Sequence, residues 1–364
     1  VVKAGAGRPV ALAARALGLG DFVTGLPALG LLKAALPDHE IVLAAPAVFA
    51  PLVPLIPAVD RLLPAAELAP ISPVPDRLDV AIDLHGNGPA SRRLLSALRP
   101  RRLFGFADPA GTLPGPTWLA AEHEVARWCR LVSEVLPVPD GESGVPQAVS
   151  DGPAHTRQAV PDGPANTRQA VPDGPANTRQ AVPDGPANTR QAVHCMRLPD
   201  VVMPQVTVVH PGAAAPSRRW PAERFAAVAT ALRRQGHSVV VTGGPAERSL
   251  ARTVADRAGV PALADLTLLE LVSLIGRARL VVCGDTGVAH VASNYRTPSV
   301  LLFGPVSPAN WGPPAGGPHR VLWHGDGTGD AHGQQADPAL LAITVEEVLT
   351  AAEELVPSEA ALPG

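Results

Sequence analysis

Residues 279–305, RLVVCGDTGVAHVASNYRTPSVLLFGP, constrain the fold of this chain more than any other stretch. Leu280 to Cys283 are apolar and suit a strand buried on both faces. Gly284 and Asp285 interrupt that run, Thr286-Gly287 open a helix over Val288 to Tyr295, and Pro298 closes it. Ser299 to Phe303 read as a second buried strand. Strand, glycine turn, helix and strand in this order place a helix N-terminus, with free backbone N–H groups, at the carboxyl edge of a parallel sheet. A phosphate is stabilised at such a place.

The same alternation recurs along the chain. In the first part, strands are expected at Val10 to Ala14, Ile41 to Ala44, Asp79 to Leu84 and Arg101 to Phe106. Helices are expected at Phe22 to Leu36, Val48 to Ile56, Ser91 to Leu98 and Glu122 to Leu136. After residue 200 the strands are Val206 to His210 and Ser238 to Val241. Helices follow at Pro221 to Gln235 and Ala246 to Ala258, and two capping boxes, Thr267/Glu270 and Thr344/Glu347, open further helices. Between the halves, 147–193 repeat an 11-residue unit, QAVPDGPANTR, whose prolines and Asp-Gly steps cannot sustain a helix. The reading is an α/β chain of two similar doubly wound halves, 1–140 and 201–342. A linker, 141–200, carries the repeats, and a final helix and tail occupy 343–364.

The chain has 364 residues, enough for two domains, with 46% hydrophobic residues to build their cores. A net charge of −3 gives no basic field for nucleic acid. No apolar run reaches the length of a membrane span, and the opening VVKAGAGRPV is not expected to be a signal peptide. Cys129, Cys195 and Cys283 match no zinc or redox spacing.

Candidate chemistry collects on the expected carboxyl-edge loops. Asp21 follows a glycine turn and precedes a helix; it is either an N-cap or a general base facing a cleft. His85 and Asn87 follow the strand ending at Leu84. Arg218 and Arg219 stand just before a helix, either as a solvated basic loop or as forked donors for a diphosphate. Trp220 beside them is by default a core anchor. Gly243 sits in the turn Thr242-Gly-Gly-Pro. Asp285, Thr286, Gly287 and His290 form the sharpest set, Thr286 and His290 being one helical turn apart. Arg92, Arg93, Arg99, Arg101 and Arg102 make a basic cluster, either a solvated face or a contact for an anionic acceptor. Glu122, His123 and Glu124 are expected at the surface. No P-loop, no G-x-S-x-G elbow and no Asp-x-Asp pair for a diphosphate-bound metal is present. Charge on a diphosphate would therefore fall to arginines and helix N-termini.

Three blocks together resemble glycosyltransferase family 9, the ADP-heptose:lipopolysaccharide heptosyltransferase family. They are LGDFVTGLPAL at 19–29, HPGA through SRRWPAERF at 210–225, and GDTGVAH at 284–290 with its following strand to Pro305. The resemblance implies a GT-B fold, two Rossmann-like parallel-sheet domains facing a cleft, with the donor held by the second. It implies inverting, metal-independent transfer, with no cofactor, from a nucleotide-diphospho-sugar, an ADP-sugar foremost, to a glycan or glycolipid acceptor. It makes Asp21 the base, Arg218 a phosphate contact in place of the usual Lys, and Asp285, Thr286, Gly287 and His290 the donor signature. Arg219 and Gly243 are assigned to the donor, His85 and Asn87 to the acceptor. The last helix is expected to cross back onto the first half. The expected setting is cytoplasmic, with at most peripheral contact at the inner face of the membrane. Rival readings are a nucleotide-sugar epimerase or hydrolase on the same fold, and a non-catalytic paralogue that binds nucleotide-sugar.

Overall fold

A computed structural model describes residues 7–108, 113–136, 195–200 and 205–357. The repeats at 147–193 lie outside the described residues.

The first half contains β1 (Val10–Ala14), α1 (Leu19–Ala35), β2 (Glu40–Ala45), a 3-10 stretch at Ala47–Leu55, β3 (Arg61–Pro64), β4 (Leu78–Asp83), α2 (Pro89–Ala97), β5 (Arg102–Phe104) and α3 (Glu124–Val135). Its strands lie in the order β3-β2-β1-β4-β5, all parallel. The second half opens with β6 (Thr207–His210), α4 (Ala222–Arg234), β7 (Val239–Thr242), α5 (Arg248–Ala258), β8 (Ala262–Leu263) and α6 (Leu268–Arg277). It continues with β9 (Leu280–Gly284), α7 (Gly287–Tyr295), β10 (Ser299–Leu302), α8 (Pro308–Trp311), β11 (His319–Leu322), α9 (Pro338–Ala342) and α10 (Val345–Leu355). Here the order is β11-β10-β9-β6-β7-β8, again all parallel. Strands β1, β6, β7, β9 and β10 are buried along their whole length, as a sheet covered on both faces requires.

Both strand orders reverse direction beside their first strand. The reversal falls between β1 and β4 in one sheet and between β6 and β9 in the other. Ligands bind outside the carboxyl ends of strands at such switch points. The loops there carry Arg15 to Asp21, His85 to Asn87, His210 to Trp220 and Gly284 to Gly287.

Several expectations are corrected. Helix α1 starts at Leu19, not Phe22, with Gly18 as its N-cap; Asp21 therefore lies inside the first turn and is not the cap. The stretch between prolines is 3-10, because Pro51 and Pro54 withhold the N–H groups an α-helix needs. Helix α10 packs on α4, β10 and β11 of the second sheet, with Val348, Ala351 and Ala352 buried there, and does not cross back onto the first half. Both capping boxes form: Thr267 accepts from Glu270 N–H at 3.3 Å and Thr344 from Glu347 N–H at 3.2 Å.

Candidate active site

The two switch points meet at the first turns of α1 and α7. A Cβ added at Gly20 would stand 2.8 Å from Cδ2 of His290, and one added at Gly287 would stand 2.8 Å from Cβ of Leu19. Real Cβ atoms do not approach so closely, so the two glycines allow the helix starts to touch. His123, at the N-cap of α3, adds a second link between the halves: its Nε2 lies 3.0 Å from the carbonyl oxygen of Gly312.

Asp21 sits on this seam with its side chain 30% exposed, enough to meet a solvent-borne substrate. Arg15, 2% exposed, lies behind it. Its guanidinium donates to the backbone oxygen of Asp21, to the Leu84 carbonyl at 2.5 Å, to Thr24 Oγ1 at 3.1 Å and to Glu124 Oε1 at 2.9 Å. Only a long edge, 3.4 Å, is left for Asp21 Oδ1. Glu124 is itself buried and also accepts from Trp128 Nε1 at 2.6 Å and from Arg127. Burial pushes the Asp21 carboxyl above the usual carboxylate range; Arg15 pulls it back, Glu124 pushes it further up and His290 draws it down. Burial outweighs these lowering influences and that of the residue's own backbone N–H. His290, also buried, is driven toward the neutral imidazole by loss of solvent, with Asp285 and Asp21 opposing.

On the other side, Asp285 is buried and accepts from Arg218 at 3.3 Å. Thr286, not Asp285, is the N-cap of α7, and its side chain makes no cap bond. Arg218 Nε and Ser217 Oγ are buried and have no hydrogen-bond partner among the described residues. Buried polar atoms are rarely left unpaired; His39 Nδ1, Arg92 Nε and Arg127 Nε share this state among the described residues. Arg219 does not join Arg218 and Ser217; its Nε donates to Ala213 oxygen at 2.9 Å and braces its own loop. Trp220 is a core anchor, buried against Phe225 and bonded to the Ile343 carbonyl at 3.2 Å. Gly243 faces Ala251 and Glu247 and lets α5 close on β7. Near it, Glu247 accepts from Gly244 N–H at 2.9 Å, lies 3.6 Å from His210 Nε2 and covers Gly212.

His85 stands at the β4 edge with its N–H on Asp83 at 3.0 Å. It shares a recess with Ala16, Ala65 and Ala66, while Asn87 is exposed beyond it. The basic cluster is divided. Arg101 and Arg102 pair with Asp79 at the amino end of β4, away from the site, and Arg92 binds the Phe106 carbonyl. Glu124 and His123 were expected at the surface. Glu124 is buried as the counter-charge that Arg15, an ion at a core strand's exit, needs, and His123 is half-buried with its ring on the Gly312 carbonyl. A charged residue directly after a strand of buried alanines and leucine was the available signal.

Two parallel sheets meet here with a carboxylate at one switch point and an arginine-held helix N-terminus at the other. Residues 118–325, more than half of the chain, match the family model for glycosyltransferase family 9 (heptosyltransferase), and the chain belongs to that family. The matched stretch begins after the N-terminal sheet, so Asp21 lies outside it. Lipopolysaccharide heptosyltransferase 3 of Escherichia coli is 31% identical over 160 residues, 42% of this chain and 47% of that protein. The chain thus spans about half the length of the curated relatives it matches. The solved E. coli ADP-heptose lipopolysaccharide heptosyltransferase II aligns over 97% of this chain and 100% of its own, with TM-score 0.65 and 21% identity. E. coli heptosyltransferase WaaC with ADP-2-deoxy-2-fluoro heptose aligns over 94% and 99%, with TM-score 0.60 and 17% identity. The fold is GT-B, as the sequence blocks implied.

Proposed function

We propose that this chain transfers a sugar, heptose or a close relative, from a nucleotide-diphospho-sugar to a hydroxyl of a glycan or glycolipid, with inversion at the transferred carbon. The observation that carries this reading is the pairing across one seam of a raised, half-exposed Asp21 with the Arg218–Asp285–α7 set. Asp21 takes the proton of the acceptor hydroxyl as its oxygen forms the new bond to the anomeric carbon. The bond to the diphosphate oxygen breaks at the same time. Arg218, whose Nε has no hydrogen-bond partner among the described residues, and the N-terminus of α7 at Thr286-Gly287 meet the charge left on the departing nucleoside diphosphate. His290 holds the seam between the two groups. Charge is neutralised here by protein donors, so the reading needs no metal. The family membership and the ADP-sugar carried by a solved relative of the same fold favour an ADP-sugar donor.

Thermal unfolding against ADP-, GDP-, UDP- and dTDP-sugars tests the donor site. A true donor at ~100 times its dissociation constant adds about 2.7 kcal/mol. ADP-sugars are expected to raise the melting temperature and the others not. No response to any of them would sink the reading. Turnover that survives EDTA supports protein-only charge neutralisation, and NMR of the product's anomeric carbon reads inversion directly.

A further inference from the structure

Helix α3 begins at a histidine that bonds in two directions. His123 is the N-cap, and its Nδ1 accepts from the backbone N–H of Val125 at 3.3 Å. Its Nε2 reaches across the seam to the carbonyl oxygen of Gly312, 3.0 Å away and 189 positions along the chain. An acceptor at Nδ1 and a carbonyl facing Nε2 leave one arrangement of the ring: neutral, with its proton on Nε2. Burial, helped by Arg127, holds the imidazole in that form against the pull of the Gly312 carbonyl and Glu124.

Both ends of this bond lead into the candidate site. Gly312 closes α8, its N–H donating to the Pro308 carbonyl at 2.7 Å, and a Cβ at 312 would collide with that oxygen, so the turn keeps one shape. Trp311, one residue earlier, packs edge-on against His290 with ring centroids 5.8 Å apart. On the other side Glu124, one residue after His123, accepts from Arg15 at 2.9 Å, and Arg15 donates to the backbone oxygen of Asp21. Consecutive residues at one helix start thus hold the second half and the strut behind Asp21. Beside the ring a recess of about 50 Å³ opens between Thr24 and Pro27 of α1 and Ser293 and Asn294 of α7. It has room for water, so the ring is not wedged in place by packing.

We propose that His123 is a positioning residue of the transfer reaction: its Nε2–H bond to Gly312 sets the register between the half that carries Asp21 and the half that carries Arg218 and α7. This rests on the glycosyltransferase reading and adds a residue to its machinery. In-line transfer requires the acceptor oxygen, the anomeric carbon and the leaving oxygen to be aligned across the seam, and a misplacement of ~1 Å can cost ~10²-fold in rate. His123 acts through Glu124 and Arg15 on one side and through the Gly312 turn on the other.

Two substitutions separate the ring's two bonds. His123→Asn places an acceptor where Nδ1 stands and keeps the helix cap, but it is too short to reach Gly312. His123→Gln places an amide N–H near the position of Nε2 and keeps the reach, but it loses the cap. Turnover is read as ADP released from ADP-heptose with a heptose-free lipopolysaccharide core as acceptor, and the seam is read by amide hydrogen exchange of the full chain. His123→Asn should lower kcat roughly ten- to hundredfold, with the donor KM and the ADP melting shift unchanged. Amides in the first turns of α1 and α7 should exchange faster in this variant while the start of α3 stays protected. His123→Gln should restore most of the kcat and the native exchange at the seam, and should melt lower because the cap is lost. Native kcat or native seam exchange in His123→Asn overturns the proposal. Equal losses in both variants overturn it too, since they would trace to the ring's bulk. An unaltered chain that gives neither turnover nor an ADP melting shift would instead count against the glycosyltransferase reading. The exchange pattern of the two variants still decides the role of His123 at the seam, so the two failures are distinguishable.

Discussion

Asp21 and Asp285 occupy corresponding places in the two halves. Each follows a strand and a glycine turn at a switch point, each stands at the start of a helix, and each has an arginine within 3.4 Å. Their arginines differ. Arg15 gives its guanidinium to two backbone carbonyls, Thr24 and Glu124, and leaves Asp21 a long edge contact. Arg218 gives one nitrogen to Asp285, and its Nε has no partner among the described residues. One half spends its cation inside the protein and leaves the carboxylate partly exposed; the other buries the carboxylate and leaves its arginine's Nε with no hydrogen-bond partner among the described residues. In the proposed function, one local motif serves as proton acceptor in the first half and as phosphate receptor in the second.

The comparison is broken most severely by Asp21→Asn. Turnover should fall ~10²- to 10⁴-fold, with the nucleotide melting shift retained. The sign for stability is opposite. The folded protein raises the Asp21 pKa, so the carboxyl's contribution is most favourable below its unfolded value and is lost as pH rises through the folded one. Asn at 21 should therefore melt slightly higher than the native chain at neutral pH, and the gain should vanish in acid. Near-normal turnover would remove Asp21 from the mechanism.

Arg218→Met attacks the other half. Loss of one transition-state donor costs ~10²- to 10³-fold in turnover, and here the donor's melting shift should shrink as well. Asp285→Asn leaves Arg218 charged but unanchored, so a smaller loss, mainly in KM, is expected. If both variants behave alike, Asp285 contacts substrate itself and the asymmetry between the halves is wrong.

The pH profile sharpens the contrast without removing either group. Asp21 works only when ionised, so kcat/KM should fall as pH drops through its raised pKa. Arg15 lowers that pKa and Glu124 raises it. Arg15→Gln should move the acid limb to higher pH and Glu124→Gln to lower pH, while Arg15→Lys restores most of the native position. Removing one partner of the buried pair costs roughly 3–5 kcal/mol in the worst case. The Glu124→Gln variant, which can still bond Trp128, is the safer arm. Limbs that move together would show a structural effect only.

Much of this was legible in the sequence. The run Leu280 to Cys283 is uniformly apolar, as a strand of a doubly covered parallel sheet requires. The capping boxes at Thr267 and Thr344 name helix starts through local hydrogen bonds, so no tertiary information was needed. Loop chemistry placed Arg218, Asp285 and His290 together for the same reason, since strand ends converge at a switch point. What escaped was set by distant packing. Glu124 reads as a surface residue until Arg15, 109 positions away, requires it. Helix α10 looked free to cross back, but Val348, Ala351 and Ala352 pack against α4, a tertiary match that periodicity alone does not show. Strands β3 and β8, of four and two residues, are too short to leave a pattern.

The smallest expected effect separates the two helix starts themselves. Gly20→Ala would press its methyl on the edge of the His290 imidazole, a side chain that can rotate at the expense of its contact with Trp311. Gly287→Ala would press on Cβ and Cγ of Leu19 and lie 3.2 Å from the backbone nitrogen of Gly20. Backbone cannot yield without moving α1. Overpacking of this kind costs ~1–3 kcal/mol, and Gly287→Ala should sit at the upper end, Gly20→Ala at the lower. Differential scanning calorimetry of both variants reads the order. Because Gly287→Ala can relieve its clash only by parting the helix starts, it should also lower turnover more than its stability loss explains. Gly20→Ala should do so only in the measure that His290 holds the seam. The reverse order would mean that the halves yield more readily than one imidazole, and that the seam is a hinge and not a fixed contact.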